Sequence, residues 1–134
     1  LGVESSLADE DERLREIGGI LAEKYAVRRV ALTLRRSESA DDNLVSGALY
    51  EAESGEFRRA RWYRVHIVDR VGGGDAFSAG LLYGIRRGMG IAETVEFASA
   101  ANAFKHSIPG DMLIASADEI ARLADSDGTV RMVR

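Results

Sequence analysis

Val65-His66-Ile67-Val68-Asp69-Arg70-Val71-Gly72-Gly73-Gly74-Asp75-Ala76-Phe77 decides the fold: a β-branched run, three consecutive glycines, then a carboxylate at the head of an apolar segment. Val65 to Asp69 reads as a short strand. Residues from Ala76 to Ile85 are apolar almost all round, as a buried helix is. Lacking a Cβ, Gly72, Gly73 and Gly74 let the chain turn sharply and present bare N–H groups. The first N–H groups of the helix that follows have no partner inside it, so the turn can hold an anion. Asp75 would repel that anion, and its presence makes sense where a proton must leave an attacking hydroxyl at the same spot. Two plainer readings stay open: the glycines as a tight strand-to-helix connection, and Asp75 as the cap of its own helix.

No Lys-Ser or Lys-Thr follows the glycines, so the turn is not a Walker A loop, and G-x-G-x-x-G phasing is absent. Upstream, the periodicity predicts a helix from about Ala8 to Tyr25 with Leu14, Ile17, Leu21 and Tyr25 on one face and Ser6 as its cap. Arg29 to Leu34 reads as a near-continuous apolar strand of the kind covered on both faces in a parallel sheet. Runs from Leu44 to Glu51 and from Glu56 to Tyr63, joined at Ser54-Gly55, suggest a hairpin at the sheet edge. Trp62 and Tyr63 read first as core aromatics. Downstream, a helix is predicted from about Ile91 to His106, rich in small residues and stopped by Pro109-Gly110. A last helix is announced by Ser116 and Glu119 at capping-box spacing, with Ile120 and Leu123 inward. Residues from Ser126 onward carry little pattern.

Alternating strands and helices imply an α/β fold whose ligands collect at the carboxyl ends of strands. The 134 residues suffice for one core, with 30% charged and 46% hydrophobic residues. A net charge of −4 argues against nucleic-acid binding. The absence of cysteine excludes disulfide and thiolate chemistry and fits a cytoplasmic setting. No apolar run reaches membrane-spanning length, so no membrane partner is expected. With His66 and His106 the only histidines, a transition-metal site has little support, and His106 reads as a helix-end cation or a hydrogen-bonded cap.

The glycine segment resembles the signature D-T-x-G-A-G-D-x-F of the ribokinase-like (PfkB) carbohydrate kinases: Asp69, Gly72, Gly74, Asp75 and Phe77 match it. Arg70 and Gly73, where that pattern has Thr and Ala, look like the V-D-R-x-G-G-G-D form of the 2-keto-3-deoxygluconate kinases within the family. Ala31-Leu32-Thr33-Leu34-Arg35-Arg36-Ser37 and Lys105-His106-Ser107-Ile108-Pro109-Gly110-Asp111 are similar to that group's nucleotide-side segments. The resemblance implies a ribokinase-like, Rossmann-like three-layer sandwich. Residues 1–134 would be its C-terminal half, with a mainly parallel sheet, a β-hairpin at its edge, and the sugar-binding and lid portion absent. Leu1-Gly2-Val3-Glu4 reads as an internal piece, so the isolated chain is expected to be inactive and to self-associate through sheet edges lacking their partner strands.

The same resemblance implies transfer of the γ-phosphoryl group of ATP to a sugar acid, with Asp75 as base and the N–H groups of Gly72, Gly73, Gly74 and Asp75 as the anion hole. It assigns nucleotide contacts to Thr33, Arg35, Arg36 and Ser37, in a loop after Leu34. On the small-residue face, Ala98, Ser99, Asn102 and Ala103 are candidates for the adenine side because their small side chains leave room for a flat ring. Plain helix packing explains that face equally well. Asp69, with the carbonyls of Val71 and Gly110, is implied to hold a monovalent cation such as K+; alternatively, Asp69 bonds turn amides. Mg2+ would arrive with ATP. A non-catalytic nucleotide-binding module is the second reading. A different α/β enzyme, such as an oxidoreductase, is a third, disfavoured by the missing glycine phasing.

Overall fold

The structure, a computed structural model, describes residues 9–130; Leu1 to Glu4 and the expected cap Ser6 lie outside them. In chain order the elements are α1 (Glu10–Tyr25), β1 (Arg29–Ser37), β2 (Asp42–Glu51), β3 (Phe57–Arg59), β4 (Tyr63–His66), α2 (Gly73–Arg86), α3 (Ile91–His106), α4 (Ala117–Ala124) and β5 (Thr129–Val130). Asp9 caps α1, its side chain accepting the Glu12 N–H, and Glu10, Asp11 and Glu12 follow at the positive end of the helix. Of the expected inner stripe only Leu21 is fully buried; Tyr25 is exposed, and Gly18 rests on Tyr50 instead. The capping box forms as the spacing predicts, with Glu119 N–H donating to Ser116 Oγ and Ser116 N–H to Glu119 Oε2.

The sheet runs β1-β2-β4-β5, with β3 also on β2. It is not mainly parallel: β1–β2, β2–β3 and β2–β4 are antiparallel, and only β4–β5 is parallel. The connections explain this. Short turns at 38–41 and 52–56 can join only antiparallel neighbours, whereas β4 reaches β5 through three helices, long enough for a parallel crossover. The expected edge strand is also misplaced. β2 lies at the centre, buried from Val45 to Leu49, while β1 forms the edge with Ala31, Thr33 and Arg35 exposed. Two-residue β5 went unpredicted because it is too short to show a pattern.

Register assigns the faces. Tyr50 pairs with Val30 and Leu44 with Arg36, and α1 packs on this side through Gly18 and Glu10. On the other side Val45, Tyr63 and Val65 meet Phe97, Ala100, Ala101, Ala103, Ile120 and Ala124 to make the main core. The layers are therefore α1, sheet, and α2–α4. Phe77 of α2 lies over Gly47, where no Cβ would fit, and Gly80 sits directly on Ala98 of α3. Tyr63 is fully buried as expected. Burial and the hydrogen bond its hydroxyl donates to Glu96 Oε1 (2.6 Å) hold its pKa well above the usual phenol value.

Candidate functional site

The strand before the glycines ends at His66, three residues earlier than the pattern suggested, because the chain then binds to two other elements. Ile67 N–H donates to Asp41 O (2.6 Å) at the β1–β2 turn, and Val68 N–H to His106 O (2.8 Å) at the end of α3. Arg70 adds a hydrogen bond to Ala40 O. The hairpin tip and the α3 terminus thus fix both sides of the turn. Gly72 is the N-cap of α2 at φ 86°, a left-handed conformation, and a Cβ there would overlap the Asp111 backbone carbonyl. A Cβ on Gly73 would overlap the His106 ring and lie 2.8 Å from Asn102 Oδ1. A Cβ on Gly74 would meet nothing within 4 Å. Two glycines are required by packing, and the third faces open space.

Among the described residues, no protein acceptor takes the N–H groups of Gly72, Gly73, Gly74 or Asp75; Ala76 N–H is the first to be used, donating to Gly72 O (2.9 Å). Asp75 is the third residue of the helix and does not cap it. Its side chain is exposed and has no hydrogen-bond or ion-pair partner among the described residues. The site therefore combines unoccupied donors at the positive end of a helix with an unoccupied carboxylate, which suits stabilisation of a transferring anion beside proton removal.

Below the glycines lies a second layer. Asp69 Oδ1 accepts Val71 N–H and Oδ2 accepts Gly110 N–H, each at 3.0 Å, which ties the turn to the loop after α3. These two bonds hold the Asp69 carboxyl below its ordinary pKa, with a smaller contribution from Lys105. His106 is buried, and its Nδ1 lies 2.8 Å from Asn102 O, so Nδ1 carries the hydrogen. Burial, reinforced by the charges of Lys105, Arg35 and Arg70, pushes its pKa down, so it is a neutral hydrogen-bonded ring and not a helix-end cation.

These shifts set an acid sensitivity. Both folded pKa values are depressed, so each contribution is complete above the unfolded value and is lost as pH falls through the folded one. Stability should begin to fall below about pH 6.5 through His106 and fall further below about pH 4 through Asp69. Thermal melts across pH 3–8 should show both limbs, and Asp69→Asn should flatten the lower one; an unchanged lower limb would remove Asp69 from the account.

β1 continues to Ser37, so there is no loop after Leu34, and strand alternation splits the expected nucleotide residues. Thr33, Arg35 and Ser37 share the face of α2 and α3. Arg36 turns to the other face, where it pairs with Glu10 (2.6 Å) and stacks 4.3 Å above Trp62, apart from the other three. Ser37 Oγ donates to Asn43 Oδ1 (3.1 Å). Ser99 is fully buried against Gly47 and Phe77, and its Oγ has no partner among the described residues. Asn102 is 5% exposed, and its Oδ1, buried without a partner, is directed at Gly73.

For a monovalent cation the donor set is a poor fit. Each oxygen of Asp69 already accepts one N–H, from Val71 and Gly110, and the loop already holds a fixed cation, the ammonium of Lys105, donating to Ile108 O (3.2 Å). Lys105 was missed as a functional candidate. Its spacing from Ala101 on one helix face would have placed it inward.

A sequence-family model described as pfkB family carbohydrate kinase matches residues 45–118. Among solved structures, a 2-dehydro-3-deoxygluconokinase from Thermotoga maritima is 38% identical with a TM-score of 0.86, over 93% of this chain and 37% of its own. A PfkB family carbohydrate kinase from Listeria grayi is 35% identical with a TM-score of 0.77, over 92% of this chain and 37% of its own. The chain thus spans little more than a third of the length of these structures. No curated protein sequence matches it significantly. Among the described residues, no helix is long and apolar enough to cross a membrane.

Proposed function

Because the chain belongs to the pfkB family of carbohydrate kinases, we propose that it is the nucleotide-binding and catalytic-base portion of a cytoplasmic kinase that phosphorylates a sugar acid with ATP. The observation that carries this reading is the conjunction at the head of α2: four N–H groups and a neighbouring carboxylate that have no partner among the described residues. The substrate proposed is 2-keto-3-deoxygluconate, giving its 6-phosphate; the named activity of the 38% identical relative supports it. Fructose, ribose and nucleosides are the competing acceptors.

In the proposed reaction the sugar hydroxyl attacks the γ-phosphorus of ATP, an O–P bond forms, the bond to the ADP oxygen breaks, and the hydroxyl proton passes to Asp75. The N–H groups of Gly72, Gly73, Gly74 and Asp75 meet the charge on the moving group without reorganising, because packing against α3 and the 108–111 loop already sets the turn. Mg2+ enters as part of the nucleotide, held by phosphate and water oxygens. Thr33, Arg35 and Ser37 flank the nucleotide from β1, with Arg35 suited to a phosphate. Asn102, whose Oδ1 has no protein partner among the described residues, is kept as a nucleotide-side candidate.

The test uses a complete kinase, meaning this chain joined to the N-terminal portion its relatives possess. ADP release should follow addition of 2-keto-3-deoxygluconate and be at least about tenfold slower with fructose, ribose or a nucleoside, the discrimination expected when a buried polar contact is missing. The isolated chain should bind ATP weakly, show no turnover, and associate through the outer edge of β1. A complete kinase that binds ATP but phosphorylates none of these acceptors would favour the second reading, a nucleotide-binding part without catalysis.

A further inference from the structure

We propose that the ammonium of Lys105 is a built-in cation beneath the glycine turn, holding the 108–111 loop and Asp69 in place, so that the kinase needs no monovalent metal ion. This inference rests on the kinase reading for its rate effects but not for its structural ones. Lys105 is 0% exposed and, with Tyr63, among the largest fully buried side chains. Lysine almost never occupies such a position without a partner, because removing an ammonium from water costs several kcal/mol. Among the described residues it has no carboxylate in ion-pair range, and its one protein acceptor is the Ile108 carbonyl at 3.2 Å. The charge is therefore kept for a purpose other than a salt bridge.

Its surroundings indicate that purpose. Lys105 lies in the last turn of α3, where unpaired carbonyls make a negative helix end that favours a cation. Its backbone carbonyl accepts Ile108 N–H (3.2 Å) while its ammonium grips Ile108 O, so main chain and side chain close one small ring. Two residues on, Gly110 N–H reaches Asp69 Oδ2, and Asp69 Oδ1 holds Val71 N–H directly before the glycines. The line from Lys105 through Ile108 and Gly110 to Asp69 ends at the N-cap of α2. An ammonium and K+ are close in size and both bind carbonyl oxygens. A K+ ion added to this loop would meet the repulsion of a fixed positive charge and an Asp69 whose oxygens are already engaged. The charge also reaches Asp69 and His106, favouring the ionised carboxylate and the neutral ring.

The experiment compares the complete kinase in KCl, NaCl and choline chloride at equal ionic strength. Wild type should turn over at rates within about twofold of one another and melt at the same temperature in all three; at least tenfold activation by K+, or a K+-specific rise in melting temperature, would overturn the proposal. Lys105→Ala leaves a space the size of the lost side chain. Its kcat should fall at least tenfold and recover several-fold with KCl or ethylammonium chloride but not with choline, and its melting temperature should rise with the same two salts. Lys105→Met keeps the volume without the charge and should lose activity with no rescue. Loss in the Ala variant without rescue, in rate and in melting, would reduce Lys105 to packing and overturn the idea. If neither variant folds, the wild-type salt comparison decides alone. Should wild type phosphorylate no sugar, the kinase reading fails separately, and the melting temperatures still judge the ammonium.

Discussion

Asp75→Asn should lower the kcat of the complete kinase by about 10²–10⁴-fold while leaving ATP affinity nearly intact, because it removes a proton acceptor and no structural contact. The side chain is exposed and lacks a protein partner among the described residues, and the cap of its helix is Gly72. Stability should therefore change by no more than about 0.3–1 kcal/mol, the contribution of one negative charge near a helix N-terminus. Removing that charge also lessens repulsion of the nucleotide, so ATP should bind as well or slightly better. Stopped assays with radiolabelled ATP, paired with calorimetric titration of ATP, separate the two quantities. A parallel loss of affinity would recast Asp75 as structural, and a rate loss below about tenfold would end its assignment as the base.

Gly72→Ala and Gly74→Ala should move stability in opposite directions. At Gly72 an alanine must adopt φ 86° and share space with the Asp111 carbonyl oxygen. The backbone conformation alone costs about 1–2 kcal/mol. Moving the 108–111 loop aside also strains the Asp69–Gly110 hydrogen bond, so a total of about 3 kcal/mol or more and a melting temperature lower by roughly 10 °C are expected. At Gly74 a methyl meets nothing, and alanine is favoured over glycine inside a helix by up to about 1 kcal/mol, so the melting temperature should hold or rise. Yet that methyl occupies the open side of the turn, where the phosphoryl group is proposed to pass, and kcat/KM for ATP should fall at least about tenfold, a modest share of what loss of transition-state donors costs. Differential scanning fluorimetry and steady-state kinetics on the two variants supply the check. A stable and fully active Gly74→Ala enzyme would show that phosphate does not approach from that side.

Strand, glycine turn and helix were legible because each is written in residues a few positions apart. The same holds for α3, whose bounds Ile91–His106 follow from its run of small residues and the Pro109-Gly110 stop, and for the Ser116–Glu119 cap. The family signature was legible for the same reason: Asp69, the glycines and Asp75 sit on one local loop. Pairing was not. An apolar run such as Arg29–Leu34 looks alike at the centre or the edge of a sheet, and only turn lengths and distant partners place β1 outside and β2 inside. The two neighbouring arginines illustrate the limit: continuation of β1 to Ser37 sends Arg36 to Glu10 and Trp62, away from the turn.

By itself the sequence determined the local chemistry: where the chain turns, where the buried helix begins, and which carboxylate stands there. Tertiary structure alone decided strand order, the roles that separate the three glycines, and the faces to which Arg35 and Arg36 turn. Those depend on which backbone groups arrive from the hairpin tip and from the end of α3, and contacts between segments distant in the chain leave no periodic trace in it.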